Sequence, residues 1–245
     1  MRTIPLKDFF RNPEKTSYHI SPNGKFISYL APYNDRLNIF VQETTGSDAA
    51  KRITEATERD IYIYFWGNDN TIIYLRDNAG DENYHFYSVN IHTGINKDLT
   101  PFEGVRANLV DELEDFDSEI LIEMNKRNPE IFDVYRMNFE TGEMKMTAEN
   151  PGNISGWVTD HNGRIRAAIT TDGVNTSLLF RESEQDKWRT VITTNFKESL
   201  TPVFFTFDNE YLYASSNIDR DKSAIIKYDI KNAAELEVIY EYPDV

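Results

Sequence analysis

A chain of 245 residues with 41 acidic and 26 basic side chains has a formal charge of −15, which argues against nucleic-acid backbones and anionic membranes as partners. It contains no cysteine, which excludes disulfides, thiolate metal sites and thiol nucleophiles. No apolar run approaches the roughly 20 residues of a membrane span, and the start Met1–Phe10 has no signal-peptide core, so a cytoplasmic location is expected.

Residues 1–16 show no strand alternation and read as a lead-in segment, with a short helical turn over Leu6–Phe10 before Pro13. From residue 17 a repeat begins. Ser21-Pro22-Asn23-Gly24 is a tight polar turn followed by the β-prone run Phe26–Leu30. Asn-Gly predicts a type I′ hairpin, whose two central residues both need positive φ. Comparable turns centre on Asp69, Ser118, Gly163 and Asn209, each after an Asn or Asp, at spacings from Gly24 onward of 45, 49, 45 and 46. A second signal runs in phase. Thr45-Gly46, Thr93-Gly94 and Thr141-Gly142 each follow an alternating strand, and Glu184-Gln185-Asp186 and Asn232-Ala233 take their place in the last two units.

Two turns per period of about 45 residues, each flanked by strands, make a four-stranded unit. The predicted fold is therefore all-β: a propeller of WD40-like antiparallel blades, about five present, as an incomplete ring. Blades are expected over roughly 17–58, 59–104, 105–152, 153–196 and 197–245. In blade two, the run Asp60–Trp66 is apolar at consecutive positions and predicts a buried inner strand. The outer faces of the first and last blades would lack neighbours, so self-association is expected.

Longer polar loops are predicted between the second and third strands of every blade, on the face opposite the tight turns, where function tends to sit. The candidates for a substrate-facing site are Arg76, Asp81 and Glu82 in blade two and Arg127 in blade three. Asp81 and Glu82 offer carboxylates to a peptide amino terminus, and the arginines offer forked donors to carboxylates. Salt bridges within the loops are the plainer reading of the same residues.

No catalytic constellation is present. Ser155 in Gly152-Asn153-Ile154-Ser155-Gly156 is not a nucleophile elbow, and the four histidines have no metal-ligand spacing. No metal or cofactor is expected. A five-bladed glycoside hydrolase would need a carboxylate pair, for which Asp60, Asp111 and Asp160 near the blade starts are the plausible channel-lining acids.

Ser21–Tyr29 resembles the S-P-D-G-K-x-I-x-Φ blade motif, with Φ aromatic, of WD40-like propellers in TolB and in the prolyl oligopeptidase family of serine peptidases. The start Ile4–Pro13 resembles the acylaminoacyl-peptidase and dipeptidyl-aminopeptidase branch of that family, as do the loop Arg76–Asn83 and the segment Asn125–Tyr135. The resemblance implies a propeller that caps a C-terminal α/β-hydrolase domain and admits short peptides by size. The Ser, Asp and His of that family's triad lie in the hydrolase domain, which this sequence is expected to lack, so no catalytic residue is carried over. The partners implied are that hydrolase domain and short peptides. A free-standing TolB-like binding propeller is the alternative.

Overall fold

The computed structural model describes residues 4–46 and 49–243. After one helical turn, α1 (Lys7–Phe10), all regular structure among the described residues is β. The first sheet contains β1 (Thr16–Ile20), β2 (Phe26–Tyr33), β3 (Arg36–Glu43) and β4 (Lys51–Arg52); the second contains β5 (Tyr64–Asn68), β6 (Thr71–Arg76), β7 (His85–Asn90) and β8 (Asn96–Asp98). The third contains β9 (Ala107–Asp111), β10 (Glu119–Asn128), β11 (Ile131–Asn138) and β12 (Met144–Ala148). The fourth runs through β13 (Ile154–Thr159), β14 (Ile165–Thr171), β15 (Thr176–Phe180) and β16 (Arg189–Thr194), the fifth through β17 (Leu200–Phe205), β18 (Leu212–Ser216), β19 (Ala224–Asp229) and β20 (Ala234–Glu241). Each sheet pairs its four strands in sequence order, which is the blade unit of a β-propeller. The chain forms two compact units, residues 1–129 with 136–145, and 130–135 with 146–245.

Within the first unit, Leu30, Ile39 and Val41 pack with Ile72, Tyr74 and Val89 in one core. Within the second, Ala167, Leu178 and Phe180 pack with Leu212, Ala214 and Ile226. Alternation supplies these faces: along β18, Leu212 and Ala214 are buried while Tyr213 and Ser215 between them are half-buried.

The repeating turns form, but not as type I′. Gly24 N–H donates to the Ser21 carbonyl at 2.8 Å and Gly24 alone takes a left-handed φ of 71°. Gly163 and Asn209 repeat this, with N–H donation to Asp160 and Thr206 and φ of 67° and 59°. One left-handed residue after an ordinary turn also suits a hairpin, and the side chain opening the turn decides for it. Ser21 Oγ accepts the Phe26 N–H, Thr206 Oγ1 accepts the Tyr211 N–H, and Asp160 accepts the N–H groups of Asn162 and Arg164. The type I′ geometry appears instead between β2 and β3, where Asn34 and Asp35 both have positive φ and Tyr33 pairs with Arg36.

The expectation of long loops between second and third strands therefore fails in three blades. Only residues 34–35 separate β2 from β3, and only residues 129–130 separate β10 from β11. Residues 172–175 between β14 and β15 are fewer than residues 160–164 of that blade's tight turn. In blade two the loop spans residues 77–84. The expected inner strand Asp60–Trp66 is also corrected. β5 begins at Tyr64, Ile61 N–H still donates to the Leu37 carbonyl of blade one, and Tyr62 and Ile63 are exposed.

A further repeat is visible only in three dimensions. A basic side chain on the fourth strand reaches carbonyls one to three residues beyond the third strand of the next blade. Lys51 Nζ donates to Ile91 and His92 at 3.0 Å each, Lys97 Nζ to Thr141 at 2.7 Å, and Arg189 to Ile230 and Lys231 at 2.9 and 3.1 Å. Carbonyls beyond a strand end lack ladder partners, and a charged donor satisfies them strongly.

The turn after β19 puts Ala233 at φ 55°, where the corresponding turns carry Gly46, Gly94 and Gly142 at 69°, 72° and 82°. A Cβ is strained there and Ala233 is exposed. Ala233→Gly should stabilise the chain by about 0.5–1 kcal/mol after the glycine's own entropy cost is met. A rise in the urea midpoint at unchanged m-value would show it, and a fall would refute it.

Candidate functional site

Blade two carries the longest of these connections, and its base is built from a cross-strand ladder. Tyr74 pairs with Tyr87 and Arg76 with His85 across β6 and β7, and Tyr87 pairs with Asp98 across β7 and β8. Residues paired in register share a sheet face, so these side chains form one cluster. The Tyr74 and Tyr87 rings stack at 5.2 Å, and the Arg76 guanidinium lies 4.7 Å from the Tyr87 centroid. Burial opposes the charge on Arg76, but the Tyr87 hydroxyl and the charge of Asp98 outweigh it and hold its pKa above the ordinary value. Arg76 is a permanent cation here.

The loop beyond Arg76 is tied down by its own acids. Asp77 is buried, lies 3.6 Å from Arg59 and accepts the Glu82 N–H at 3.4 Å. Asp81 accepts the N–H groups of Asn78 and Asn83, both at 3.1 Å. Ala79, Gly80 and Glu82 all take positive φ, the bends that this closure requires. A small polar pocket at the loop base is lined by Thr57, Glu58, Arg59, Arg76, Asp77 and Asn78.

The four candidate residues thus divide. Arg76 is the last residue of β6 and reaches the pocket, while Asp81 and Glu82 lie on the loop above it. Asp81 spends its carboxylate on the loop backbone, whereas the exposed Glu82 uses only its N–H there. Arg127 is on the extended strand β10, exposed, and not on a long loop. Sequence reasoning missed His85 and Asp98, whose side chains meet at 2.9 Å between Nδ1 and Oδ2. Thirteen residues separate them, and only the register of β7 on β8 joins them.

A slight burial cost would raise the pKa of Asp81, but N–H donation from Asn83 and Asn78, then the charge of His85, lowers it overall. A lowered folded-state pKa contributes stability that is present above the unfolded carboxylate pKa and is lost as pH falls through the folded value. Amide exchange at Asn78 and Asn83 should accordingly accelerate as pH drops below the carboxylate range. The exchange rates must be corrected for their intrinsic acid dependence. Unchanged protection there, or no effect of Asp81→Ala on it, would refute the capping role.

The acids considered for glycoside hydrolysis each engage donors of the chain itself. Asp60 accepts the Leu37 N–H at 2.6 Å and the Tyr62 hydroxyl at 3.2 Å. Asp111 accepts the Leu113 N–H at 2.8 Å, and the buried Asp160 caps its turn and lies 3.6 Å from Arg166. Among the described residues, no group of three or more His, Asp or Glu side chains is arranged to hold a metal ion, and no helix is long and apolar enough to cross a membrane.

No protein-family model matches the chain. In sequence it is 29% identical over 233 residues to dipeptidyl aminopeptidase BIII of Pseudoxanthomonas mexicana, covering 94% of this chain and 34% of that protein. It is 24% identical to dipeptidyl peptidase family member 6 of Caenorhabditis elegans, covering 97% of this chain and again 34% of the other. The chain therefore spans about a third of the length of the curated relatives it matches. Among solved structures, Porphyromonas gingivalis dipeptidyl peptidase 4 matches 91% of the chain and 38% of its own length, with a TM-score of 0.63 at 11% identity. TolB from Acinetobacter baumannii matches 90% of the chain and 53% of its own length, with a TM-score of 0.53 at 15% identity. At these identities the structural likenesses establish the fold alone.

Proposed function

We propose, for a chain homologous to the propeller region of prolyl-oligopeptidase-family serine peptidases of the dipeptidyl peptidase kind, a non-catalytic role in admitting short peptides to a hydrolase domain. The observation that carries this reading is the 29% identity to dipeptidyl aminopeptidase BIII across 94% of the chain. It is consistent with the site: the cluster around Arg76 offers fixed charge and aromatic surface but no nucleophile paired to a base. Arg76 and Glu82 are the side chains assigned to the peptide, with Arg127 of β10 as a further candidate. Asp81 acts by holding the loop.

The TolB likeness supports a free-standing binding propeller as the second reading, but through fold alone. The two are separated by assay. The 245-residue chain should bind short peptides, with amide shifts confined to residues near Arg76 and Glu82, and should not turn over dipeptidyl or aminoacyl chromogenic substrates. Joined to the hydrolase domain of a relative, it should restrict turnover to short peptides, and Glu82→Ala or Arg76→Ala should lower kcat/KM. Turnover by the chain alone that a serine-directed inhibitor abolishes would overturn the proposal. So would the absence of any peptide binding together with unchanged length selectivity.

A further inference from the structure

His85 stands at the foot of the loop that carries Asp81 and Glu82, and it is surrounded by charge. From β6, Arg76 is its cross-strand partner. From β8, Asp98 bonds its Nδ1 at 2.9 Å and is itself fixed by the Thr100 N–H at 3.0 Å. On β7, its ring stacks with Tyr87 at 6.4 Å, the ring that Arg76 also covers. From the loop, Asp81 has a pKa that burial would raise but that hydrogen bonds from Asn83 and Asn78 and, last, the charge of His85 lower overall. Beyond Arg76, the pocket holds the Arg59–Asp77 pair and Glu58. The His85 and Asp98 side chains are 19% and 29% exposed, so a proton can reach the pair while water only partly screens it.

We propose that His85, held by Asp98, is a proton-sensitive positioning residue for Arg76. An ionised carboxylate only accepts, so neutral His85 is fixed in one tautomer, with Nδ1–H donating to Asp98. Protonation adds a second cation directly across the strand pair from Arg76, on the same side of the sheet. The guanidinium cannot discharge in response, so it must move along the Tyr87 face, away from the new charge. The presentation of Arg76 at the pocket therefore follows the proton on His85, with no change in the strands themselves. Histidine is the side chain suited to this, because its charge changes between about pH 5 and 8.

This inference rests on the preceding reading only in treating Arg76 as ligand-facing, and its test needs no peptide. In the full chain, the Arg76 Nε–H resonance and the His85 ring resonance are followed between about pH 5 and 8. The expected result is a shift of Arg76 Nε whose midpoint coincides with that of His85. In His85→Gln the Arg76 shift should vanish while the thermal midpoint stays within a few degrees. In Asp98→Asn both midpoints should move together, which supplies an independent arm should His85→Gln fail to fold. A flat Arg76 resonance while His85 titrates would overturn the proposal, as would an Arg76 shift retained in His85→Gln. Loss of peptide binding with coincident titrations intact would instead count against the proposed function alone.

Discussion

Asn38→Leu should lower the stability of the chain by about 3 kcal/mol, although leucine matches asparagine in size. Asn38 is fully buried on β3. Its Nδ2 donates to the Arg36 and Ala56 carbonyls at 3.1 and 3.0 Å, and its Oδ1 accepts the Ala56 N–H at 2.7 Å and the Thr54 hydroxyl at 3.0 Å. Thr54 in turn accepts the Ile39 N–H at 2.9 Å. One side chain thereby satisfies both polar backbone groups of Ala56, on the connection that leaves blade one. Leucine would leave several buried donors and acceptors unpaired, each costing about 1–3 kcal/mol before relaxation. At a few degrees per kcal/mol for a chain of this size, the thermal midpoint should fall by roughly 6–12 °C. Urea titration at constant m-value is the direct measurement, and a loss below about 1 kcal/mol would mean that water replaces Asn38.

Gly67→Ala should cost about 1–3 kcal/mol through overpacking alone. Gly67 lies on β5 with an ordinary negative φ, so no backbone strain enters. A Cβ built there falls 2.8 Å from the Phe139 ring and 3.0 Å from Ile73 Cγ1. Phe139 is almost fully buried, and it cannot swing aside as a surface lysine could. Phe139→Leu makes room at the price of a smaller core side chain. Gly67→Ala combined with Phe139→Leu should accordingly cost less than the sum of the two single changes, by at least 0.5 kcal/mol or so. Additive losses would show that the methyl is accommodated elsewhere.

The blade repeat was legible in the sequence because it is written in local chemistry. An Asn or Asp before each turn centre, glycine at left-handed positions and alternating β-prone runs each act within a few residues. Of the candidate site, the charges were legible and their partners were not. Arg76 and Glu82 stood out as charged residues in a polar loop. His85 and Asp98 did not, because each reads as an ordinary polar residue on an alternating strand. Asp81 reads in sequence as a carboxylate open to a ligand, and in the structure it accepts two N–H groups of its own loop. Asp60 reads in sequence as a candidate channel acid, and in the structure it accepts the Leu37 N–H. A carboxylate near a bend reads the same in sequence whether it faces a ligand or an N–H twenty residues away.

The sequence by itself determined the number of sheets, their strand content and the places where the chain turns, since turn chemistry and period-2 burial depend on neighbours along the chain. It also fixed the absence of cysteine chemistry and the excess of negative charge. The tertiary structure revealed the turn type, which is set locally, by Ser21, Asp160 and Thr206 bonding N–H groups two to five residues ahead. It alone decided which loops are long, how Lys51, Lys97 and Arg189 latch consecutive blades, and which side chains meet at the base of the blade-two loop. These depend on strand register and on contacts between blades, where the partners lie from 13 to 44 residues apart in the chain and no local preference can select them.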